Sequence, residues 1–314
     1  MDGVIRVKFS MLLMTLILVL TPLTNLPVDS GPLENNVENN ASTKAQTTWN
    51  GLVQLTESYT VSVTDELVIS PCTTVELSTS SRLFVDGRLI IQGNNSCPVV
   101  FSQLGSGLHY GIQFNSSSSG RGSVIDNITI EDATYGITIY GSDPQLNNVT
   151  ITNPSRVGID LFSGANPVIH DLIINQAGKG FSYSDWRYGL GLSAGAGSTP
   201  VVERASMTDL RIRGLNIWGS SGGIYRDISI DNVSAEGANA ISAGVWIEDS
   251  QPLITNLSVD KSDYGILIRH VSDGGFTRAV VRDCIVTNSM YRGIYVDKSN
   301  HTNFTNYELS LIHI

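Results

Sequence analysis

The chain has 314 residues, of which 15% are charged and 7% are aromatic, and it contains 30 glycines. This length allows one or two domains with a large core. The net charge of −10 at pH 7 repels phosphate backbones, so the composition argues against a nucleic-acid partner.

The first 28 residues have the pattern of a secretory signal peptide. Arg6 and Lys8 precede an apolar run from Met11 to Leu20 that is interrupted only by Thr15. The run is too short for a membrane-spanning helix. No clean small-x-small cleavage site follows it, so an uncleaved anchor stays open as the alternative. We therefore expect a secreted or cell-surface protein that contacts a membrane only through this segment.

A flexible linker is predicted for residues 29–50, because this stretch is rich in Asn and poor in apolar residues. Residues 51–314 are expected to form one domain of strands. Its last strand pattern, Phe304–Leu311, is followed by no polar cap, and an uncovered strand edge needs a partner. Either another protomer covers it or the chain continues beyond Ile314, and we favour a fragment of a longer chain.

One sequence pattern recurs along the domain, and such a repeat indicates a solenoid. Each repeat contains an Asn or Asp before an apolar-polar-apolar triplet, and then a Gly followed by a second alternating run. Alternation with period two predicts strands without intervening helices. The clearest copies are Asn148–Ile151 with Gly158–Leu161, Asn256–Val259 with Gly265–Ile268, and Asp283–Val286 with Gly293–Val296.

The glycines before the second strands give an alignment of the repeats with a basic spacing of 21–25 residues. The aligned glycines are Gly111, Gly136, Gly158, Gly180, Gly214, Gly244, Gly265 and Gly293. The longest interval separates Gly180 from Gly214, which places an inserted loop within Ser184–Thr199. Asn or Asp after each triplet suits a sharp corner, because both tolerate a left-handed backbone. These corner residues are Asp132, Asn153, Asp209, Asn232 and Asn288.

The three cysteines fit an exported chain. Cys72 and Cys97 are 25 residues apart, close to one repeat period, so neighbouring coils would stack them and we predict a disulfide. Cys284 occupies an inward position that other repeats fill with Val149 or Leu257, so we expect a buried free thiol.

The repeat resembles that of the right-handed parallel β-helix proteins of the pectin-lyase-like superfamily over about residues 60–311. Leucine-rich repeats are the nearest rival, but there the Asn falls one place later and a helix or extended turn follows, whereas Gly158–Leu161 has the pattern of a second strand. The resemblance implies an all-β solenoid of about ten three-sided coils, often found on exported proteins that handle polysaccharides. Coils stacked at the strand spacing of about 4.8 Å make a rod.

Aromatic side chains occupy outward positions of the predicted second strands. Flat sugar faces pack on such rings while polar neighbours bind hydroxyl groups, so these rows suggest a glycan-binding groove. The alternative is that inserted loops cover the rings. The ligand-binding candidates, including the inserted loop, are Tyr140, Asp160, Phe162, Asp185, Trp186, Arg187, Trp218, Trp246 and Tyr295.

An acidic pair is the second candidate site. Asp231 and Asp260 occupy the same outward position of adjacent predicted coils, where their charges repel unless a cation bridges them. Polysaccharide lyases of the superfamily bind calcium through carboxylates and use Arg or Lys as the base. The resemblance therefore offers Asp231 and Asp260 as Ca²⁺ ligands and Arg269 as a catalytic base, with a solvated acidic face as the alternative.

Signatures of other activities are missing from the sequence. Glycosidases of this fold would be expected to show an Asp-Asp pair and a Gly-His-Gly, and neither occurs here. We therefore expect a glycan-binding, adhesion or structural module, with a calcium-dependent lyase of acidic polysaccharide as the alternative. A structural spacer is favoured if loops cover the aromatic residues.

Overall fold

A computed structural model of the protein describes residues 45–180, 187–235, 241–271, 277–299 and 302–311. Its strands pair in parallel with the strands of the next coil and form one continuous sheet that winds into a β-helix. The predicted all-β solenoid is therefore confirmed.

Short strands build the first coils. They are β1 (Gln46–Trp49), β2 (Leu52–Leu55), β3 (Tyr59–Val61), β4 (Glu66–Ile69), β5 (Thr74–Leu77), β6 (Leu83–Val85), β7 (Arg88–Gln92), β8 (Val99–Gln103) and β9 (Ile112–Phe114), followed by a 3₁₀ turn at Ser116–Ser118.

Longer strands build the later coils. They are β10 (Val124–Glu131), β11 (Tyr135–Tyr140), β12 (Gln145–Thr152), β13 (Val157–Phe162), β14 (Val168–Asn175), β15 (Leu190–Ala194), β16 (Val201–Leu210), β17 (Arg213–Trp218), β18 (Ile224–Val233), β19 (Ala243–Glu248), β20 (Leu253–Arg269), β21 (Val280–Asp297) and β22 (Asn303–Leu311).

Each later coil has three sides, which we call faces A, B and C. In one coil, face A is Gln145–Asn147 and face B is Val149–Thr152, both within β12, while face C is β13. The strands β20 and β21 are long because each runs through all three faces of its coil.

Left-handed residues turn the chain between faces. The predicted corners Asp132, Asn153, Asp209, Asn232 and Asn288 all have φ between 53° and 56° and separate face B from face C. Side chains of neighbouring corners are hydrogen-bonded, since the amide Nδ2 of Asn153 donates to the carboxylate Oδ1 of Asp132 at 2.7 Å and that of Asn232 donates to Asp209 Oδ1 at 2.6 Å. A second row of corners, between faces A and B, was not predicted. It contains Asn127, Asn148, Asp171, Arg204, Asp227, Asn256, Asp283 and Asn306.

The core is a stack of apolar side chains from all three faces. In one inward column of face B, Val149, Leu172 and Ala205 are in register on successive coils. Further along the same column, Cys284 pairs with Leu257 and is buried as a free cysteine, as predicted. Because the chain has only 41% hydrophobic residues, concentrating them inside leaves the three outer faces largely polar.

The glycine row of face C differs from the predicted alignment at one position. A Cβ on Gly158 would lie 2.8 Å from the Gly191 carbonyl oxygen, and one on Gly191 would lie 2.6 Å from that of Gly214. Gly191 therefore occupies the place that we assigned to Gly180. Gly180 is instead an open turn residue with φ 76°. The inserted loop consequently precedes β15 rather than following it, and Ser193, two residues after Gly191, takes the outward position next to Asp160 in the register.

The N-terminal boundary and the disulfide are both visible in the first coils. Gln46–Trp49 forms β1 and pairs with Glu66–Ile69, so the predicted linker, 29–50, extends too far and the solenoid begins before residue 51. The ring of Trp49 packs edge-on against Tyr59 with centroids 5.0 Å apart. Cys72 and Cys97 form the predicted disulfide, with Cα atoms 4.7 Å apart.

The predicted signal segment, residues 1–28, lies outside the described residues. Within the described ranges, no helix is long and apolar enough to cross a membrane.

Candidate functional site

The outward side chains of face C form columns, because each strand pairs in register with the next coil. One column runs from the coil of β11 to the coil of β21. It contains Thr138, Asp160, Ser193, Asn216, Trp246, Leu267 and Tyr295. A second column lies two residues further along each strand and contains Tyr140, Phe162, Trp218, Glu248, Arg269 and Asp297.

The first half of face C carries a groove of about 430 Å³, which we call the aromatic groove. The predicted candidates Tyr140, Asp160, Phe162, Arg187 and Trp218 all line it. The complete lining is Arg82, Tyr135, Thr138, Tyr140, Val157, Asp160, Phe162, Arg187, Leu190, Ser193 and Trp218.

Three aromatic rings form one wall of the groove. Tyr140 stacks on Phe162 with ring centroids 5.3 Å apart and planes at 16°, and Phe162 meets Trp218 edge-on at 6.3 Å. Phe162 and Trp218 come from coils separated by a third coil, whose residue at this level is Gly195. A Cβ on Gly195 would lie 2.4 Å from the Trp218 ring, so the missing side chain lets the indole reach towards Phe162.

Asp160 forms the floor of the groove and is only 6% exposed. Burial raises the pKa of its carboxyl from 3.8 to about 7, while a hydrogen bond from Ser193 and the charge of Arg187 act in the opposite direction. The Ser193 hydroxyl donates to Asp160 because its oxygen accepts from Asn216 Nδ2 at 3.2 Å and from Trp218 Nε1 at 3.4 Å. The same side chains therefore hold both the carboxyl and the aromatic wall.

Arginines lie at the margins of the groove. Arg82 packs over the rings of Tyr110 and Phe84, at 4.6 Å and 5.3 Å, and burial lowers the pKa of its guanidinium. Arg156 donates to the hydroxyls of Tyr135 at 2.8 Å and Tyr188 at 2.6 Å, which lie beside the groove. Arg82 and Arg187 both line the groove, and the charge of Arg187 acts on the Asp160 carboxyl, so the lining contains two basic side chains and one acidic side chain.

The structure corrects the expectation for Trp246. This indole is 4% exposed, because the guanidinium of Arg213 lies 3.7 Å from its ring centroid and that of Arg269 lies at 5.2 Å. Its Nε1 donates to Glu248 Oε2 at 3.2 Å. Trp246 is thus a packed residue that cannot stack on a sugar in this conformation.

Tyr295 and Arg269 lie further along the rod than the aromatic groove. Tyr295 is five coils beyond Asp160 in its column, a distance of about 24 Å at the strand spacing. Its ring packs against Tyr264 and Arg292. Arg269 forms an ion pair with Glu248 at 3.2 Å. The candidates Asp185 and Trp186 lie outside the described residues.

The predicted calcium ligands Asp231 and Asp260 lie on face B, on the opposite side of a corner from Arg269. They are in register as expected, but Lys261 Nζ lies 3.3 Å from Asp231 Oδ1 and 3.3 Å from Asp260 Oδ2. Hydrogen bonds from Thr287 and Asn288 to Asp260, together with Lys261, lower the pKa of its carboxyl. The cation between the carboxylates is therefore the lysine, and the pair does not fit a calcium ion.

Among the described residues, no group of three or more His, Cys, Asp or Glu side chains is placed to hold a metal ion. Asp231, Asp260 and Arg269 are consequently not brought together into the lyase-like site that the resemblance suggested.

Sequence reasoning missed Arg82, Ser193 and Gly195. Arg82 precedes the region where the repeat is regular, so no alignment placed it near Asp160. Ser193 and Gly195 were missed because the alignment of the repeats used Gly180 in place of Gly191. The alternating run Leu190–Ala194 was the available signal, since it follows the same apolar-Gly pattern as Val157–Leu161.

Comparison with known proteins identifies the family. Residues 110–309 match the family described as right handed beta helix region, so the chain belongs to the right-handed β-helix proteins. This match confirms the predicted family and handedness. Among curated protein sequences, no match to the chain was found.

Several solved structures share the fold. An alginate lyase from Paenibacillus sp. str. FPU-7 superposes with a TM-score of 0.61 at 12% identity, over 83% of this chain and 98% of that chain. The catalytic domain of a GH87 α-1,3-glucanase matches with a TM-score of 0.46 at 16% identity, over 85% of this chain and 59% of that one. The periplasmic alginate epimerase AlgG matches with a TM-score of 0.39 at 10% identity, over 83% and 76%. At 12% identity, the likeness to the alginate lyase shows the fold alone, and no conclusion is drawn from the other two matches.

Replacing Asp160 should change how stability depends on pH. The folded chain holds the Asp160 proton up to about pH 7 whereas the unfolded chain releases it near 3.8, so this carboxyl makes the wild type less stable as pH rises through that window. We expect Asp160→Asn to gain stability relative to the wild type between these pH values and to keep that gain above them. Urea unfolding across the pH range measures the difference, with Glu57→Gln, at an exposed carboxyl, as the control. A stability difference that is independent of pH would contradict the burial argument.

Replacing Lys261 should create sensitivity to calcium. Lys261 has φ 50° at a corner where neighbouring coils place Asn232 and Asn288, so Lys261→Asn preserves the backbone and removes the bridging charge. We expect millimolar Ca²⁺ to raise the Tm of Lys261→Asn and to leave that of the wild type nearly unchanged. The double variant Lys261→Asn with Asp231→Asn is the control and should lose the response. An equal rise in the wild type would show that the lysine does not replace the metal.

Proposed function

We propose that this protein is a secreted or cell-surface β-helix that binds polysaccharide in the aromatic groove. The single observation that carries the proposal is the row of Tyr140, Phe162 and Trp218 along one wall of a groove whose floor is the carboxyl of Asp160. A ring wall beside a polar floor suits a sugar chain, because sugars have apolar faces and hydroxyl-bearing edges.

The direction of the row supports a chain ligand rather than a single small molecule. The three rings come from different coils of the rod, so the wall runs along the solenoid axis. Tyr140 is 38% exposed, and Phe162 and Trp218 are half-buried, so each ring has a supported side and an accessible side. Sugar units can therefore pack against the exposed parts of the rings along the wall.

The charges around the groove favour an acidic or neutral glycan over a basic ligand. Arg82 and Arg187 contribute positive charge to the lining, whereas the carboxyl of Asp160 is neutral below about pH 7. When it is protonated, Asp160 has a donor as well as an acceptor for a sugar hydroxyl.

Two observations support export. The pattern of residues 1–28 predicts a signal peptide, and the Cys72–Cys97 disulfide is the kind of bond that persists in oxidising compartments.

Trp218→Ala should weaken polysaccharide binding at least tenfold, which corresponds to about 1.4 kcal/mol or more. The substitution removes one ring of the wall and a hydrogen bond to Ser193. Isothermal titration with a panel of acidic and neutral oligosaccharides measures the effect. Tyr291→Ala is the matched control, because this ring is 60% exposed and lies outside the groove.

Trp246→Ala should behave differently from Trp218→Ala. Because the Trp246 ring is packed between two arginines, its loss should reduce thermal stability and leave the affinity of the folded fraction unchanged. The aromatic groove is not a glycan site if no glycan of the panel binds the wild type. The same conclusion follows if a glycan binds and Trp218→Ala leaves its affinity unchanged.

A polysaccharide lyase is the second candidate function, and the carboxyl of Asp160 favours it. A pKa near 7 is suited to proton transfer at neutral pH, and the hydroxyl of Tyr140 lies within electrostatic range of this carboxyl. On a uronate unit, Asp160 would accept the proton from the carbon next to the carboxylate. The bond between the ring carbon and the glycosidic oxygen then breaks, a carbon–carbon double bond forms, and Tyr140 protonates the leaving oxygen.

This second candidate is tested by the ultraviolet absorbance of unsaturated products. The protein is incubated with alginate, pectate and other acidic polysaccharides, and Asp160→Asn is compared with the wild type. We expect absorbance to rise with the wild type and to be abolished in the variant, while binding by titration is retained. No rise with any substrate would exclude the lyase and leave the binding function standing.

A further inference from the structure

A second groove lies on the corner between faces A and B, away from the aromatic groove. It has a volume of about 600 Å³ and runs along the solenoid axis. Its floor comes from the outward residues of face B, one side from the corner residues between faces A and B, and one end from the segment Asn94–Pro98. We call it the hydroxyl groove.

The floor is a ladder of side chains in strict register. One outward residue from each coil contributes a step, and the order along the axis is Thr129, Thr150, Ile173, Ser206 and Ser229. Steps are separated by about 4.8 Å, the spacing of paired strands. Within the part of the chain that the structure describes, no side-chain hydrogen bond engages the hydroxyls of Thr129, Thr150, Ser206 or Ser229, so these groups are available to a ligand.

The middle step of the ladder is apolar. Ile173 is 42% exposed and lies between Thr150 and Ser206 in the register. Exposure of this isoleucine side chain to water, between steps that carry hydroxyls, is unfavourable in free energy. A sugar unit suits this sequence of steps, because its flat face can cover the isoleucine while its edge hydroxyls meet the steps on either side.

The side wall carries two carboxylates and one guanidinium, Asp171, Asp227 and Arg204. Arg204 Nε and Nη2 donate to Asp171 Oδ1 at 2.6 Å and Oδ2 at 2.8 Å. The next corner carboxylate, Asp227, accepts from Asn256. With two carboxylates and one committed guanidinium in a chain of net charge −10, this groove repels polyanions.

The end wall is held in place covalently. In the segment Asn94–Pro98, Cys97 forms the disulfide to Cys72, and the backbone of Asn94 and Cys97 exchanges hydrogen bonds of 3.2 Å and 2.9 Å. A tethered turn therefore bounds the groove at this end, and the lining contains five steps of the ladder.

We propose that the hydroxyl groove binds a linear neutral polysaccharide along the solenoid axis, with one sugar unit over each step. This site differs from the aromatic groove in its face and its residues, and it repels the acidic glycans that the aromatic groove admits, so the two can bind different glycans.

The experiment is a titration of the full chain, produced in a host that does not N-glycosylate, with cello-, laminari- and manno-oligosaccharides of two to eight units. We expect at least one series to bind, with affinity that increases up to about five units and then levels off. Thr150→Lys should lower that affinity at least tenfold, because the long side chain fills the groove. Thr152→Lys is the matched control, since this residue is two places along the same strand and outside the groove lining. Melting curves confirm that both variants are folded.

Three results would overturn the proposal. These are the absence of binding in every neutral series, an equal loss of affinity in Thr150→Lys and Thr152→Lys, and a loss caused by Trp218→Ala, which would assign the ligand to the aromatic groove. Ile173→Ser provides an independent readout, because it should weaken binding without adding bulk or charge. Polygalacturonate should not compete for this site, and competition that Thr150→Lys abolishes would contradict the neutral ligand class.

Discussion

The parallel pairing of each coil with the next is the interaction on which the rest of this structure depends. Because strands of successive coils bond in register, a residue type that recurs at one position of the repeat becomes a column on the rod. Inward columns form the core, and left-handed Asn and Asp residues form the corners. The close pairing of coils restricts the residue type most strongly on face C. There, no room is left for a Cβ between Gly158 and the Gly191 carbonyl.

The same stacking explains how polar side chains acquire unusual environments. An outward residue on face C is covered by its neighbours in the column and by the aromatic and arginine side chains beside it. Asp160 is thus almost fully buried although it points away from the core, and its pKa rises to about 7. The aromatic wall also depends on stacked coils. Gly195 lies between the coils of Phe162 and Trp218, and because it has no side chain, the indole of Trp218 can contact Phe162.

Particular residues show how far the sequence could be interpreted. The corner residues, the buried Cys284 and the Cys72–Cys97 disulfide were predictable, because each depends on its position within one repeat. The Gly180 assignment was wrong because Gly180 is also followed by an alternating run, and only coil-to-coil pairing distinguishes it from Gly191. Trp246 and Asp160 were both placed correctly in the outward column, but their burial depends on Arg213, Arg269 and Ser193 from other coils.

The sequence by itself determined the solenoid and one of its two rows of corners, because these follow from a regular repeat with period-two alternation and from residues that tolerate a left-handed backbone. The three-sided coil was implied by the resemblance to the parallel β-helix proteins. Only the tertiary structure decided which outward residues form a site. It placed Lys261 between Asp231 and Asp260, separated Arg269 from them, and brought Arg82 and Asp160 from different coils into the lining of one groove. The physical reason is that a site on a β-helix is made across coils, from residues that lie one or more repeats apart in the sequence. Inserted loops change the sequence separation between coils, and the local alternation of apolar and polar residues does not reveal that change.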